Sequence, residues 1–245
     1  MIIIYSILVS FIFTQSIEHG DIPYESFEEI LFMYVDKNGK VDYSAIIENP
    51  YSFDKYFKFI EKNSPNNSPE YFPTKDDKMA YWINAYNAIV LKIMIENPEV
   101  ESILDISFYH TIFFKKHTIG GEKISLNTIE HKILRKKYKD PRIHFAINCG
   151  SISCPPLGKR IIRGDSLDEQ LDEKASEFIN NGKDIRIDHE NEIIYLNRIF
   201  KWFKDDFGDV KLYICKYIIN KDDCSKIDRY KIKYDMYDWG SNSSN

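Results

Sequence analysis

The chain has 245 residues and a formal net charge of −5, with acidic and basic residues interspersed along it. Its 17 Tyr and 16 Phe residues are enough for a sizeable core, which favours one globular domain. The basic runs are short, so the chain lacks the concentrated positive face that a nucleic-acid partner would require.

The N-terminus has the pattern of a secretory signal. Residues 1–13 are nearly all apolar, and small residues follow at Thr14 and Ser16, the positions that a signal peptidase reads. The run is too short for a comfortable membrane span. Residues 1–16 are therefore predicted to be a cleaved signal peptide, with an uncleaved membrane anchor or a buried terminal strand as alternatives. A cleaved signal places the mature chain in a secreted or lumenal environment, without a membrane span, where cysteines oxidise.

Residues 17–34 are predicted to be an N-terminal helical extension, and a longer helix is predicted over 76–96, where Asn97-Pro98 stops it. The centre of the longer helix is apolar on every side, which predicts burial on every side. Asn84 and Asn87 interrupt this pattern, and a buried amide needs hydrogen-bond partners. The two asparagines therefore either bond neighbouring backbone groups or hold a catalytic group in the wall of a site.

A hairpin is predicted over 117–124, and Ser125 is predicted to cap a helix over 126–138. At 100° per residue, Glu130 lies within the apolar stripe of that helix and His131 lies on its edge. A carboxylate that faces a core needs a partner or a raised pKa. Glu130 is thus interpreted as half of an ion pair, or as an acid, a base or an orienting group of a site.

The segment 144–148 is a short apolar run with one histidine, and it leads into a loop of small residues between Cys149 and Cys154. An apolar run followed by Gly and Pro predicts a buried central strand, which carries His144. Loops at strand ends often hold functional residues, because a rigid scaffold positions them. This loop is the first candidate for a functional site.

The rest of the chain predicts a helix over 166–182, a second hairpin over 185–196, further helices and a strand over 229–236. Helices with small antiparallel hairpins, and without regular β-α-β alternation, favour an α+β fold in a single domain. Four cysteines in an oxidising environment allow two disulfides, and Cys215 with Cys224 is the candidate structural pair.

Five ordered blocks of the sequence resemble one known family, the family numbered 547 among the domains of unknown function. The blocks lie at 81–88 (YWINAYNA), 125–135, 140–155, 200–207 and 237–239. The resemblance covers roughly residues 35–240 and leaves 241–245 as a polar tail. It implies no established activity, substrate or cofactor. The family's motif residues fall here on Asn84, Asn87, Glu130, His131, His144, Cys149 and Cys154.

A Cys–His pair is the first interpretation of these residues. A thiol nucleophile needs a nearby base to form thiolate, and the base needs an orienting partner. Cys149 is the expected nucleophile of a hydrolase or acyl transferase, because the family pattern accepts Cys or Ser at the second cysteine position. A straight strand would hold His144 about 16 Å from Cys149, so His131 is the favoured base. The expected catalytic set is Cys149, His131 or His144, and an orienting shell of Glu130, Asn84 and Asn87.

Two other interpretations remain open. One is a zinc site, because Cys149 and Cys154 have a permitted ligand spacing, and His131 with His144 would complete four ligands. The other is a secreted binding domain without catalysis, in which the same cysteines form a disulfide or pack as small buried residues. No cofactor is predicted outside the zinc alternative. The expected partner is an unidentified small molecule or peptide.

Overall fold

The computed structural model describes residues 22–106 and 111–244, so the predicted signal peptide lies outside the described residues. Within those ranges, no helix is long and apolar enough to cross a membrane. The N-terminal part is mainly helical and contains one hairpin. Its elements are α1 (Tyr24–Tyr34), α2 (Tyr43–Glu48), α3 (Tyr51–Lys62), α4 (Lys75–Ile95), α5 (Thr111–Phe114), β1 (Lys116–Ile119), β2 (Glu122–Ser125) and a π-helix (Thr128–Tyr138).

The described part of the predicted N-terminal extension belongs to the folded core. Phe27 of α1 is buried and stacks on Tyr56 of α3, with 4.4 Å between the ring centroids. Stacked aromatic pairs of this kind contribute about 1 kcal/mol beyond the area that they bury. The extension is therefore a packed helix over Tyr24–Tyr34.

Helix α4 is the buried axis of the molecule. Thr74 and Asp77 form a capping box at its start, in which each side chain accepts from the backbone N–H of the other residue. Every residue over 79–91 is buried, as the apolar pattern predicts. The π-helix and α2 both pack against α4.

The hairpin and the helix after it form where the sequence predicts them. Strands β1 and β2 pair antiparallel, and Ser125 Oγ accepts a hydrogen bond from the Thr128 N–H at 3.2 Å, which confirms the predicted cap. The backbone hydrogen bonds of Thr128–Tyr138 follow the wider π pattern instead of the α pattern. Helical turns of this type are rare, and they occur frequently at functional sites.

The predicted central strand is wrong. Ile143–Ala146 form a short helix, α6, and only Ile147 after it is extended. The Phe145 N–H donates to the Arg142 carbonyl at 3.0 Å, so this backbone is satisfied locally and needs no neighbouring strand. A short apolar run indicates burial, but it does not distinguish a buried strand from one buried helical turn.

The C-terminal part combines helices with a three-stranded sheet. Its elements are α7 (Leu167–Asn180), β3 (Ile185–Asp188), β4 (Ile193–Leu196), α8 (Ile199–Trp202), α9 (Lys204–Phe207), α10 (Val210–Tyr217), α11 (Lys221–Ile227) and β5 (Lys231–Tyr234). Strand β4 is central, with β3 antiparallel on one side and β5 parallel on the other. Ile185 lies opposite Leu196, and Ile194 lies opposite Ile232. The predicted α+β class is confirmed.

The buried apolar side chains form two clusters that meet near α6. One cluster surrounds α4, and the other lies between α7, the three-stranded sheet and α8 to α11. Ile143 of α6 belongs to the first cluster, and Phe145 belongs to the second. Tyr237, which follows β5, packs against both. Helix α6 and Tyr237 therefore mark the junction between the two clusters.

The segment predicted as a polar tail is docked over residues 241–244. The Asn242 N–H donates to the Gly150 carbonyl at 2.9 Å, and the Val41 N–H donates to the Asn242 carbonyl at 3.0 Å. The Asn242 side chain is buried. These contacts place the C-terminal segment beside the loop between Cys149 and Cys154.

Candidate functional site

A cavity of about 210 Å³ lies at the junction of the two clusters. The π-helix supplies Glu130 and His131, α6 supplies His144, and the next loop supplies Cys149. Four of the six predicted site residues therefore share one cavity wall. Much of the remaining wall is aromatic and includes Trp202, Phe203, Tyr237 and Trp239.

His144 is oriented by a carboxylate that the sequence analysis did not single out. Its Nε2 lies 2.7 Å from Asp206 Oδ2, and its ring stacks on Phe203 with 3.9 Å between the ring centroids. Burial lowers the pKa of His144, although the bond to Asp206 acts in the opposite direction. Because a carboxylate only accepts hydrogen bonds, the neutral imidazole carries its proton on Nε2 and keeps a lone pair on Nδ1. A histidine base that an aspartate orients likewise donates one ring N–H to the carboxylate and keeps the other nitrogen free, although in the Ser–His–Asp triad the nitrogen bonded to the carboxylate is Nδ1.

Arg135 connects the two histidines of the site. Its Nε and Nη2 donate to the carboxylate of Asp206, and its Nη1 donates to His131 Nδ1 at 2.8 Å. Partial burial opposes the ionisation of Asp206, but the bonds from His144 and Arg135 outweigh it and hold the pKa of this carboxyl well below its ordinary value. Burial and the nearby Arg135 charge lower the pKa of His131. Because a guanidinium only donates, neutral His131 carries its proton on Nε2.

Glu130 is a buried carboxyl in the same wall. It is 9 % exposed, and burial raises its pKa to about 7, against the opposing effect of Arg135. The Tyr86 O–H donates to Glu130 Oε2 at 3.4 Å. Near neutral pH this carboxyl populates both protonation states, which is the condition for exchanging a proton with a bound molecule.

Asn84 and Asn87 lie outside the cavity lining and bond backbone groups. Asn87 Nδ2 donates to the Ala146 carbonyl, and its Oδ1 accepts from the Asn148 N–H, both at 2.9 Å. Asn84 bonds the carbonyl and the N–H of Ile162 in the same way, at 2.7 and 3.1 Å. Of the two alternatives that the sequence leaves open for these asparagines, the geometry matches hydrogen bonding to backbone groups. Asn87 fixes the backbone that leads into the cysteine loop.

Cys149 and Cys154 form one disulfide, and Cys215 and Cys224 form the other. The first pair is buried and lines the cavity, so in this state Cys149 carries no thiol. The second pair is the bridge that the sequence analysis expects. Two disulfides are compatible with a secreted or lumenal environment.

The four residues considered as zinc ligands do not form a metal site in this structure. Across the described ranges, no group of three or more His, Cys, Asp or Glu side chains is arranged to hold a metal ion. Cys149 and Cys154 are bonded to each other, and His144 Nε2 is bonded to Asp206. These side chains therefore have other partners.

Three residues of the site were not singled out from the sequence. Arg135 lies four residues after His131, and that spacing on a helix indicates contact. Asp206 lies in the block at 200–207 of the family resemblance, but nothing in the sequence pairs it with His144. One sequence feature indicates Tyr237, namely its position in the last block of the family resemblance.

One comparison with known proteins agrees with the motif resemblance. No curated protein and no solved structure matches the chain. A family model matches residues 72–179, a range that contains α4, the π-helix, α6 and the cysteine loop. The matching model is described as protein of unknown function, DUF547, so the family resemblance predicted from the sequence motifs is confirmed over residues 72–179.

Proposed function

We propose that the cavity is the active site of a hydrolase or acyl transferase that uses Cys149 as its nucleophile once the bond to Cys154 is reduced. The observation that carries this proposal is the Asp206–His144 hydrogen bond, because His144 lines the same cavity as Cys149. A histidine oriented by a carboxylate is the base that a thiol nucleophile requires.

His144 replaces His131 as the proposed base. His131 is favoured only if a straight strand separates His144 from Cys149, and the chain forms a helical turn followed by a loop there instead. His144 Nδ1 would take the thiol proton, and Asp206 would stabilise the imidazolium that forms. Arg135 would keep the Asp206 carboxylate ionised and in place.

Glu130 and His131 would donate hydrogen bonds to the oxyanion that develops on the substrate. The backbone amide of Gly150, which follows the nucleophile, is not free to bind the oxyanion, because its N–H already donates to Asn148 Oδ1 at 2.7 Å. Neutral His131, with its proton on Nε2, and protonated Glu130 are hydrogen-bond donors in the same wall. A donor that is already oriented toward the charge of the transition state is worth about 3 kcal/mol. The aromatic wall favours a substrate with an apolar acyl group.

Hydrolysis of 4-nitrophenyl acetate by the reduced protein tests this proposal. We expect C149S to lose the activity, because the nucleophile is removed. We expect D206N to lower kcat/KM about 100-fold, because an amide at this position favours the wrong histidine tautomer. The exposed neighbour Asp205 offers the matched control, D205N, which should retain the wild-type rate. Hydrolysis that survives in C149S, or equal rates in D206N and D205N, would contradict the proposal.

A second candidate function is ligand binding without catalysis, and the disulfide favours it because the oxidised protein has no free thiol in the cavity. The aromatic wall suits a small apolar molecule or an apolar peptide side chain. Saturation-transfer NMR with indole on the oxidised protein tests this candidate. We expect transfer to indole in the wild type and its loss in N127W, because Asn127 lines the cavity and is only partly buried. K132W adds the same ring at an exposed position and should retain the transfer. No transfer in the wild type, or transfer that survives in N127W, would exclude this candidate.

A further inference from the structure

The two disulfides differ in the groups that surround their sulfur atoms. The Cys149 N–H donates to Cys154 Sγ at 2.9 Å, and the Tyr237 O–H donates to the same sulfur at 3.1 Å. Among residues 22–106 and 111–244, no N–H or O–H group donates to a sulfur of Cys215 or Cys224. Cys154 Sγ therefore has two donors, one of them a backbone N–H. Cys149 Sγ lies 3.1 Å from Ser151 Oγ and 3.5 Å from the Tyr237 hydroxyl, but that hydroxyl lies nearer to Cys154 Sγ, and the Ser151 hydroxyl also bonds the Tyr237 oxygen at 3.3 Å.

Hydrogen bonds to a thiolate stabilise it relative to the thiol. Burial raises the pKa of Tyr237, so its hydroxyl stays protonated and remains a donor. When the Cys149–Cys154 bond breaks heterolytically, the negative charge is better held on Cys154, which has two donors, than on Cys149, whose neighbouring Ser151 hydroxyl also donates to the Tyr237 oxygen. A thiol with a lower pKa is also the better leaving group in thiol–disulfide exchange.

The position of the disulfide gives small molecules access to it. Both cysteines line the cavity of about 210 Å³, and Cys154 also lines a second cavity of about 100 Å³. The disulfide thus forms part of the wall between these two cavities, although each cysteine is only 8 % exposed.

We propose that the Cys149–Cys154 disulfide is a thiol–disulfide exchange site for small thiols that enter the cavity. The thiolate of a first thiol attacks Cys149 Sγ, the bond to Cys154 breaks, and Cys154 leaves as a thiolate that the Cys149 N–H and Tyr237 O–H hold. A second thiolate then attacks the sulfur of the first thiol in the mixed disulfide, and Cys149 leaves. Two thiols are oxidised to one disulfide, the protein disulfide is reduced, and the thiol protons pass through solvent to the two cysteines.

This exchange does not require the proposed hydrolase activity, and it would supply the free Cys149 thiol where that activity exists. Its first test uses wild-type protein with reduced glutathione, followed by differential alkylation and mass spectrometry of the cysteine peptides. We expect Cys149–Cys154 to be reduced several-fold faster than Cys215–Cys224. Exposure alone gives the opposite order, because Cys215 and Cys224 are the more exposed pair. Equal rates, or faster reduction of Cys215–Cys224, would overturn the proposal.

The second test examines the assignment of the leaving sulfur. Glutathione trapped early on the wild-type protein should be found on Cys149, and its presence on Cys154 instead would overturn the assignment. We expect Y237F to slow reduction of Cys149–Cys154 several-fold, because it removes one donor and keeps the ring. Y234F is the matched control and should leave the rate unchanged, since it leaves both donors to Cys154 in place. Reduction of Cys215–Cys224 in the same samples shows whether each variant is folded, and an unchanged rate in folded Y237F would refute the role of the hydroxyl.

Discussion

Glu130 and His144 respond to pH in opposite directions, although burial is the main influence on both. Burial raises the pKa of Glu130 and lowers the pKa of His144, because each group is more easily buried in its neutral form. The contribution of Glu130 to stability is complete below pH 4.5 and is lost as the pH rises to about 7. The contribution of His144 is present above pH 6.5 and is lost as the pH falls below that value. The site therefore carries least unfavourable charge in mildly acidic solution.

E130Q isolates the Glu130 effect, because the amide cannot ionise and its oxygen can still accept from the Tyr86 hydroxyl. At about pH 8, E130Q should raise the free energy of unfolding by about 3 kcal/mol relative to the wild type. At about pH 4.5 the two proteins should differ little, since the carboxyl is then neutral in the fold. Urea unfolding at both pH values measures the difference, and the exposed E122Q is the matched control. A gain that is the same at both pH values would show that the burial of charge is not its cause.

At the scale of elements, a local sequence pattern was sufficient to predict the secondary structure where the pattern is long. Helix α4 has a long apolar centre, from which its burial was predicted. The segment Ile143–Ala146 is too short for its period to be read, so strand and helix were equally compatible with it. The π geometry of Thr128–Tyr138 has no sequence signal of its own. It keeps Glu130 buried, as the α-helical pattern also predicts.

Residues of the candidate site could be predicted where the pattern of a single helix or loop indicates them. Glu130 and His131 follow from the face of a helix, and Cys149 follows from the composition of its loop. Asp206 bonds a histidine 62 residues earlier, and no local pattern encodes that contact. Asn84 and Asn87 were candidate site residues because they are polar positions in an apolar helix. Their hydrogen-bond partners are backbone groups, which a sequence does not show.

At the scale of the whole molecule, the cavity exists because two apolar clusters meet without filling the space between them. Tyr237 and Trp239 close it from the C-terminal segment, with 4.5 Å between their ring centroids. The chain then continues past the cysteine loop to Asn242, which joins that loop to the residues after α1. The position of the cavity wall thus depends on a segment that composition alone marks as a polar tail.

N242A tests this dependence. The Tyr43 O–H donates to Asn242 Oδ1 at 2.6 Å, and Asn242 Nδ2 donates to the Gly39 carbonyl at 3.3 Å, both in buried surroundings. Truncation to alanine leaves a buried hydroxyl and a buried carbonyl without these partners, so we expect the free energy of unfolding to fall by about 2 kcal/mol.

Urea unfolding measures the change in N242A, and S244A, at an exposed position of the same segment, should stay within about 0.5 kcal/mol of the wild type. Because Trp202 and Trp239 line the cavity and Trp82 is buried in α4, tryptophan fluorescence reports whether the wall moves with the tail. We expect the emission of N242A to shift to longer wavelength before global unfolding, since a loosened C-terminal segment exposes Trp239 to water. If N242A matches S244A in both measurements, the docked segment does not hold the wall, and the cavity is maintained by the two apolar clusters alone.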